Sequence, residues 1–320
     1  MMTKPPVLVI MGPTAAGKSD LAIALARRLR GEIVSVDSGL VYRGMDIGTA
    51  KPSMAVRSRI PHHLIDILDP SQPYSAGRFR SDALTLIEAI RERDRLPILV
   101  GGTMLYFRAL LKGIAPMPEA DAGLREQINA EAARIGWPAL HRQLAIIDPR
   151  AAARIHPNDP QRIQRALEVY RLTGKPLSAW WQRSGQQELP FRPFKVVLAP
   201  RDRQQLHHRI ERRFLGMLES GLIAEVEALY RRGDLHPDLP AIRSVGYRQV
   251  WGWLAGEYDY PAMIEKAIAA TRQLAKRQLT WLRRERDALW LEPGQDAVRQ
   301  VIDALRVSTL DLDALPSGLI

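Results

Sequence analysis

A chain of 320 residues with 46% hydrophobic and 25% charged side chains has the composition of a globular protein, long enough for about two domains. It contains no cysteine, which excludes disulfides and thiolate metal sites, and no apolar run near the ~18 residues that span a membrane. Forty-six Lys and Arg against 35 Asp and Glu leave a net charge of +11 and a pI near 10.2, which favours a polyanionic partner if the charge is clustered.

Val7-Leu8-Val9-Ile10-Met11 is a continuous apolar run ending at glycine, the pattern of a buried parallel strand. It is too short, and too close to the glycines that follow, to be a secretion signal, so a cytoplasmic location is expected. Ser19 to Arg30 carries helical spacing closed by Gly31, and a second strand is predicted over Glu32 to Val36. Further strands are predicted at Leu64 to Ile67, Ile98 to Val100 and Lys195 to Leu198, with a helix over Ala76 to Arg93. From Pro116 to Pro193 helical spacing takes over, in Leu124 to Ile135, Trp137 to Ile147 and Asp159 to Leu172. Helices are then predicted over Leu206 to Glu219, Gly246 to Ala255 and Ala262 to Arg286, with a short strand over Ala288 to Leu291. The pattern specifies an α/β fold, a P-loop NTPase-like parallel sheet flanked by helices with an inserted helical domain. The expected division is a discontinuous core, 1–115 and 194–306, an inserted helical domain, 116–193, and a tail, 307–320.

Gly12-Pro13-Thr14-Ala15-Ala16-Gly17-Lys18-Ser19 has the spacing of a P-loop between a strand and a helix. Its glycines let the backbone aim several N–H groups at a polyphosphate, Lys18 neutralises the terminal phosphates, and Ser19 offers a hydroxyl oxygen to Mg²⁺. No strand ends in a persuasive Walker-B aspartate: Leu64-Ile65-Asp66 is a weak candidate, so ATP-driven phosphoryl transfer is not favoured. Asp37, just past the second strand, suits a metal ligand, a general base or a turn-forming residue equally. Gly101-Gly102-Thr103 follows a later strand, where glycines permit close approach of a ligand and the threonine hydroxyl can reach a phosphate or cap the next helix.

The positive charge is clustered. Arg272, Lys276 and Arg283 share one helical face beside an apolar stripe of Ile268, Ala275, Leu279 and Leu282, with Trp281 among the arginines. Arg201, Arg203, Arg209, Arg212 and Arg213 form a second cluster with His207 and His208, which lack partners at zinc-ligand spacing. Gln161, Arg162, Gln164 and Arg165, around Ile163, are suited to RNA backbone and base edges.

With the P-loop, seven further segments in order resemble the bacterial tRNA dimethylallyltransferase family, over about residues 7 to 291. They are Asp37-Ser38-Gly39-Leu40-Val41-Tyr42, Gly48-Thr49-Ala50-Lys51-Pro52, Pro61-His62-His63-Leu64-Ile65-Asp66, Gly101-Gly102-Thr103-Met104-Leu105-Tyr106, Asn158-Asp159-Pro160-Gln161-Arg162 and Arg243-Ser244-Val245-Gly246-Tyr247-Arg248-Gln249. Lys276-Arg277-Gln278-Leu279-Thr280-Trp281-Leu282-Arg283 closes the series. The resemblance implies transfer of a dimethylallyl group from dimethylallyl diphosphate to N6 of the adenosine 3′ of the anticodon. It implies a P-loop that holds the diphosphate leaving group with Mg²⁺, Asp37 as acceptor of the N6 proton, and Thr103 at the reacting end of the diphosphate, while Arg213 is the arginine expected to stabilise its departure. The tRNA anticodon stem-loop is expected to lie on Asp37 to Leu40, Thr103, Arg125, Gln161 to Arg165, Arg243 to Arg248 and Lys276 to Arg283, with the chain acting as a monomer away from membranes. Open alternatives are prenyl transfer to free AMP, a P-loop kinase, and an RNA-binding module without activity.

Overall fold

The apolar run after Pro5 forms β1, Pro6–Met11, in a computed structural model that describes residues 4–115, 117–183 and 188–308. After β1 come α1, Lys18–Arg28; β2, Gly31–Val36; a single turn, α2, Met54–Arg57; and β3, His62–His63. Then follow α3, Ala76–Glu92; β4, Leu96–Gly101; and α4, Met104–Lys112. Five helices come next: α5, Ala122–Ile135; α6, Trp137–Ile147; α7, Pro149–Ala152; α8, Pro160–Thr173; and α9, Leu177–Arg183. The remaining described elements are β5, Arg192–Leu198; α10, Arg203–Glu219; α11, Leu222–Tyr230; α12, Tyr247–Leu254; α13, Tyr260–Leu282; β6, Leu289–Leu291; and α14, Ala297–Ser308. The chain separates into two compact units, one made of residues up to Leu111 and from Leu189 onward, the other of Lys112–Glu188.

The first unit is built on a parallel six-stranded sheet in the order β3-β2-β4-β1-β5-β6. Its central strands are apolar throughout because both faces are covered. In β1, Val7, Val9 and Met11 enter one core and Leu8 and Ile10 the other. Leu21, Ala22, Leu25 and Ala26 of α1, with Ala297, Val301 and Leu305 of α14, cover one face. Residues of α3, α4, α11, α12 and α13 cover the other.

Three expectations need correction. The third strand pairs through His62 and His63 rather than Leu64 to Ile67, since Leu64 (φ 62) and Asp66 (φ 57) take left-handed backbone that ends an extended segment. Long basic spacing predicted α13 to Arg286, yet it stops at Leu282, where Arg283 begins a turn. β5 starts at Arg192, inside the segment expected to belong to the insertion. Helices α9, α11 and α14 were not anticipated from the sequence, and the tail beyond 308 lies outside the described residues.

In the second unit α5, α6 and α8 pack around Ile128, Leu140, Leu144, Ile163 and Leu167. Glu168 is fully buried among them and accepts from Arg125 at 2.8 and 3.1 Å, Arg165 at 2.7 Å and the Asp121 backbone N–H at 2.9 Å. Burial alone would raise its pKa, but the hydrogen bonds from Arg125 and Arg165 outweigh it and hold the carboxylate below its ordinary value. Replacing Glu168 by Ala removes the shared partner of two partly exposed guanidiniums, although Arg165 keeps its bond to the Pro118 carbonyl, so equilibrium urea unfolding should show a loss of about 2–3 kcal/mol. A loss under about 1 kcal/mol would mean that the arginines find water instead.

Candidate active site

The loops leaving the carboxyl ends of β1, β2 and β4 emerge on one edge of the sheet, where open parallel sheets bind ligands. The register aligns them: Gly101 is the partner of both Met11 and Val36. Asp37, Gly102 and Gly12 therefore leave adjacent strands about 4.8 Å apart.

Gly12 runs so close to β5 that a Cβ there would lie 2.3 Å from the Leu198 carbonyl oxygen. Left-handed backbone at Ala15 (φ 62) and Gly17 (φ 86) then curls the loop into α1. No side chain caps this helix N-terminus, which leaves its first N–H groups for an anion. Lys18 folds back and donates from Nζ to the Pro13 carbonyl at 2.6 Å. Burial lowers its pKa to about 8; Asp37 opposes the shift and Arg213 reinforces it. Ser19 is exposed at the start of the helix.

Asp37 forms the turn its sequence suggests, accepting from the Gly39 N–H at 2.8 Å, and it also lines the cavity at this edge. Thr103 ties the two neighbouring loops together. Its Oγ1 accepts from the Ser38 N–H at 3.0 Å and its own N–H donates to the Val36 carbonyl at 3.2 Å. Gly101 and Gly102 answer to internal packing before any ligand. A Cβ at Gly101 would stand 1.9 Å from the Val36 carbonyl oxygen, and one at Gly102 would stand 2.4 Å from Nε2 of Gln278.

Helix α10 supplies the opposite wall. Ile210, Arg213, Phe214 and Met217 share a face by helical spacing and all reach the cavity, which measures about 510 Å³. Burial lowers the pKa of Arg213 while Asp37 raises it, so Lys18, Asp37 and Arg213 form one interacting group of charges. Arg213 Nη2 also lies 3.5 Å from the Thr49 carbonyl. The loop bearing Thr49 is held from α11: the Glu225 carboxylate accepts from the N–H groups of Asp46, Ile47 and Gly48 at 2.8, 2.8 and 3.1 Å and from the Tyr247 hydroxyl. Sequence spacing did not expose Glu225, because it acts on backbone groups far away in the chain.

Ser38, Gly39, Arg243, Ser244, Val245, Gly246, Tyr247, Arg277, Gln278 and Trp281 also border this cavity. The Arg108 and Arg284 guanidiniums lie 5.8 and 5.9 Å from the centre of the Trp281 ring, within cation–π range. Leu40, Arg248, Lys276, Leu279, Thr280 and Arg283 do not line the cavity, although Arg248, Lys276, Thr280 and Arg283 are exposed. Burial removes the side chains of Leu282 and Ile163 from any surface that could touch RNA, because both pack inside apolar cores. In the second unit Arg125 and Arg165 are engaged by Glu168, while Gln161 and Arg162 are exposed and Gln164 donates to Asn129 at 2.7 Å. The weak Walker-B candidate also changes meaning: Asp66 pairs with Lys51 and Arg57, which satisfies its carboxylate away from the P-loop.

Relatives reproduce both sequence and architecture. Residues 40–285 match the IPP transferase family model. A protein of Methylococcus capsulatus named tRNA dimethylallyltransferase is 64% identical over 91% of this chain and 93% of its own length, and one of Nitrosococcus oceani with that name is 60% identical over 94% and 96%. Among solved structures, the tRNA isopentenylpyrophosphate transferase of Bacillus halodurans is 38% identical, covers 97% of each chain and superposes with a TM-score of 0.69. A eukaryotic dimethylallyltransferase captured acting on tRNA is 28% identical over 98% of this chain and 80% of its own, with a TM-score of 0.79. Agreement at this identity and coverage places the chain in the IPP transferase family.

Proposed function

We propose that this protein transfers a dimethylallyl group from dimethylallyl diphosphate to N6 of the adenosine 3′-adjacent to the anticodon of tRNA, giving N6-isopentenyladenosine and diphosphate. One observation carries the reading: a carboxylate, Asp37, lines the same cavity as Arg213 and the P-loop residues Thr14 and Ala15, and its charge acts on both Arg213 and Lys18. Attack by a weakly nucleophilic adenine amine calls for a base so placed, and membership of the IPP transferase family favours prenyl over phosphoryl transfer. The N6–C1 bond forms as the C1–O bond of the allyl diphosphate breaks. The departing diphosphate keeps the electron pair, and the N6 proton passes to Asp37. Lys18, Arg213 and the N–H groups at the start of α1 stabilise the charge that develops on the leaving group. The apolar side of the cavity, Ile210, Phe214 and Met217, suits a hydrocarbon tail and excludes water from it.

Mg²⁺ fits this chain chiefly through its substrate. Among the described residues no group of three His, Asp or Glu side chains converges, so the ion would rest on the Ser19 hydroxyl, diphosphate oxygens and water. When bound it supplies charge neutralisation to the diphosphate.

The anticodon stem-loop would meet the exposed cations of the first unit, among them Arg243, Arg248, Lys276, Arg277 and Arg283. The target base leaves its stack to enter the cavity, with Trp281 at the border to receive a neighbouring base. No described helix is long and apolar enough to cross a membrane, and every group invoked comes from one chain, so a monomer suffices.

The test is transfer of labelled dimethylallyl diphosphate to an anticodon stem-loop carrying the adenosine, run beside AMP. Label on the RNA adenosine is the expected result. Absence of transfer by folded protein with Mg²⁺, or equal transfer to AMP, refutes the reading. The pH profile supplies a second check. Below about 8 Lys18 is charged and above it neutral, so KM for the donor should rise on the alkaline side. A donor KM that is flat from pH 7 to pH 10 would remove Lys18 from the diphosphate site.

A further inference from the structure

Gln278 stands out among the residues around the cavity because it is buried and spends both ends of its amide inside the protein. Its Oε1 accepts from the Thr14 backbone N–H in the P-loop at 2.9 Å. Its Nε2 donates to the Gly102 carbonyl at 2.8 Å. The residue before Thr103 is a glycine for the same reason, since a Cβ there would meet this Nε2 at 2.4 Å. One amide of α13 thus spans the loop that cradles phosphate and the loop that carries Thr103.

We infer that Gln278 is a positioning residue for the transfer reaction, a clamp that holds the P-loop and the Thr103 loop in fixed relation, rather than a contact to RNA. The inference rests on the transfer reading for its kinetic part, while its effect on anion binding stands alone. The clamp has a direction. An acceptor must face Thr14 and a donor must face Gly102, so only an uncharged amide of this length serves both. Its neighbour Arg277 reaches the same cavity, which makes α13 the element through which a bound polyanion can bear on the phosphate loop.

Three variants separate the possibilities. Gln278→Met keeps the volume and removes both bonds. Gln278→Glu keeps the acceptor, loses the donor and brings a negative charge next to the phosphate loop. Gln278→Asn keeps both groups but is a methylene too short to span them. Each is measured for inorganic diphosphate binding by titration calorimetry, for stem-loop binding by fluorescence anisotropy, and for donor KM and kcat. Leaving a buried donor and acceptor unmade weakens the arrangement about tenfold or more, so Met and Asn should each bind diphosphate about tenfold more weakly, with donor KM raised and stem-loop affinity kept. The Glu variant should be weakest for diphosphate because its charge adds repulsion. Melting temperatures taken beside these titrations identify any variant whose loss is merely unfolding, and the Glu and Asn forms then carry the comparison. Wild-type affinity for diphosphate in folded Met and Glu variants overturns the clamp, as does a fall in stem-loop binding with diphosphate binding intact. If wild type binds diphosphate but transfers nothing to tRNA, the transfer reading fails while the calorimetry still decides the clamp.

Discussion

Replacing Asp37 by Asn should lower prenyl transfer by about 10²–10⁴-fold, the usual worth of a positioned general base, while stem-loop binding changes little. Asparagine keeps an oxygen at the position that accepts the Gly39 N–H at 2.8 Å, so the turn survives the change. What is lost is the capacity to take a proton from the adenine amine. The substitution also removes the one negative charge that opposes the lowering of Lys18 and Arg213. Losing Asp37 therefore drives Lys18 further down from about 8. Donor binding is accordingly compared on the acid side, near about pH 6, where Lys18 stays charged and a more positive cradle attracts diphosphate at least as well. A kcat that collapses beside a donor KM held or lowered is the signature of a base. A drop in stem-loop or donor affinity as large as the drop in rate would instead make Asp37 a structural turn residue.

Gly101→Ala should be the most damaging single-methyl change in the sheet. The added Cβ would stand 1.9 Å from the Val36 carbonyl oxygen and 2.4 Å from its carbon, both backbone atoms with no rotamer to escape into. β2 and β4 would have to part at their carboxyl ends, where Val36 pairs with Gly101 and Thr103 returns a bond to Val36. A loss above about 4 kcal/mol, the exceptional end of point-mutant effects, is expected in denaturant unfolding of the first unit. Activity should fall with it, because Asp37 and Thr103 begin immediately beyond this pair. Gly233, with a left-handed φ of 77 and nothing within 4 Å of an added Cβ, is the natural control: Gly233→Ala should cost only the left-handed backbone penalty of about 1–2 kcal/mol. If both variants unfold alike, β2 and β4 accommodate the methyl and the packing argument fails.

Much of this was legible in the linear sequence because the relevant signals are local. A P-loop is eight contiguous residues, and the apolar strand before it and helical spacing after it are readable without partners. Asp37 and Thr103 were legible because parallel strands end on one edge, so a polar residue just past a strand is placed by topology alone. What escaped depends on long-range contacts. Glu225 and Gln278 both act on backbone groups more distant in the chain than any periodicity reaches. Gln278 looked like one more polar residue on a basic helix, and only its burial distinguishes it from Lys276 and Arg277. β3 was misplaced because Leu64 to Ile67 is apolar enough for a strand, whereas pairing was settled by left-handed turns at Leu64 and Asp66. The last helix, α14, was missed because Val301 and Leu305 find their partners on α1, at the far end of the sequence.

The placement of β5 beside β1 has a consequence for how the protein is made. Pro6 pairs with Arg192 and Met11 with Val197, so the strand that launches the P-loop lacks its neighbour until most of the chain has left the ribosome. Until then β1 presents an open edge, and Gly12 has no Leu198 carbonyl to lie against. Contacts of such sequence separation form slowly, and an unpaired apolar strand is the kind of surface on which nascent chains associate wrongly. The residues of the proposed phosphate loop are thus among the first to be synthesised and among the last to acquire their shape.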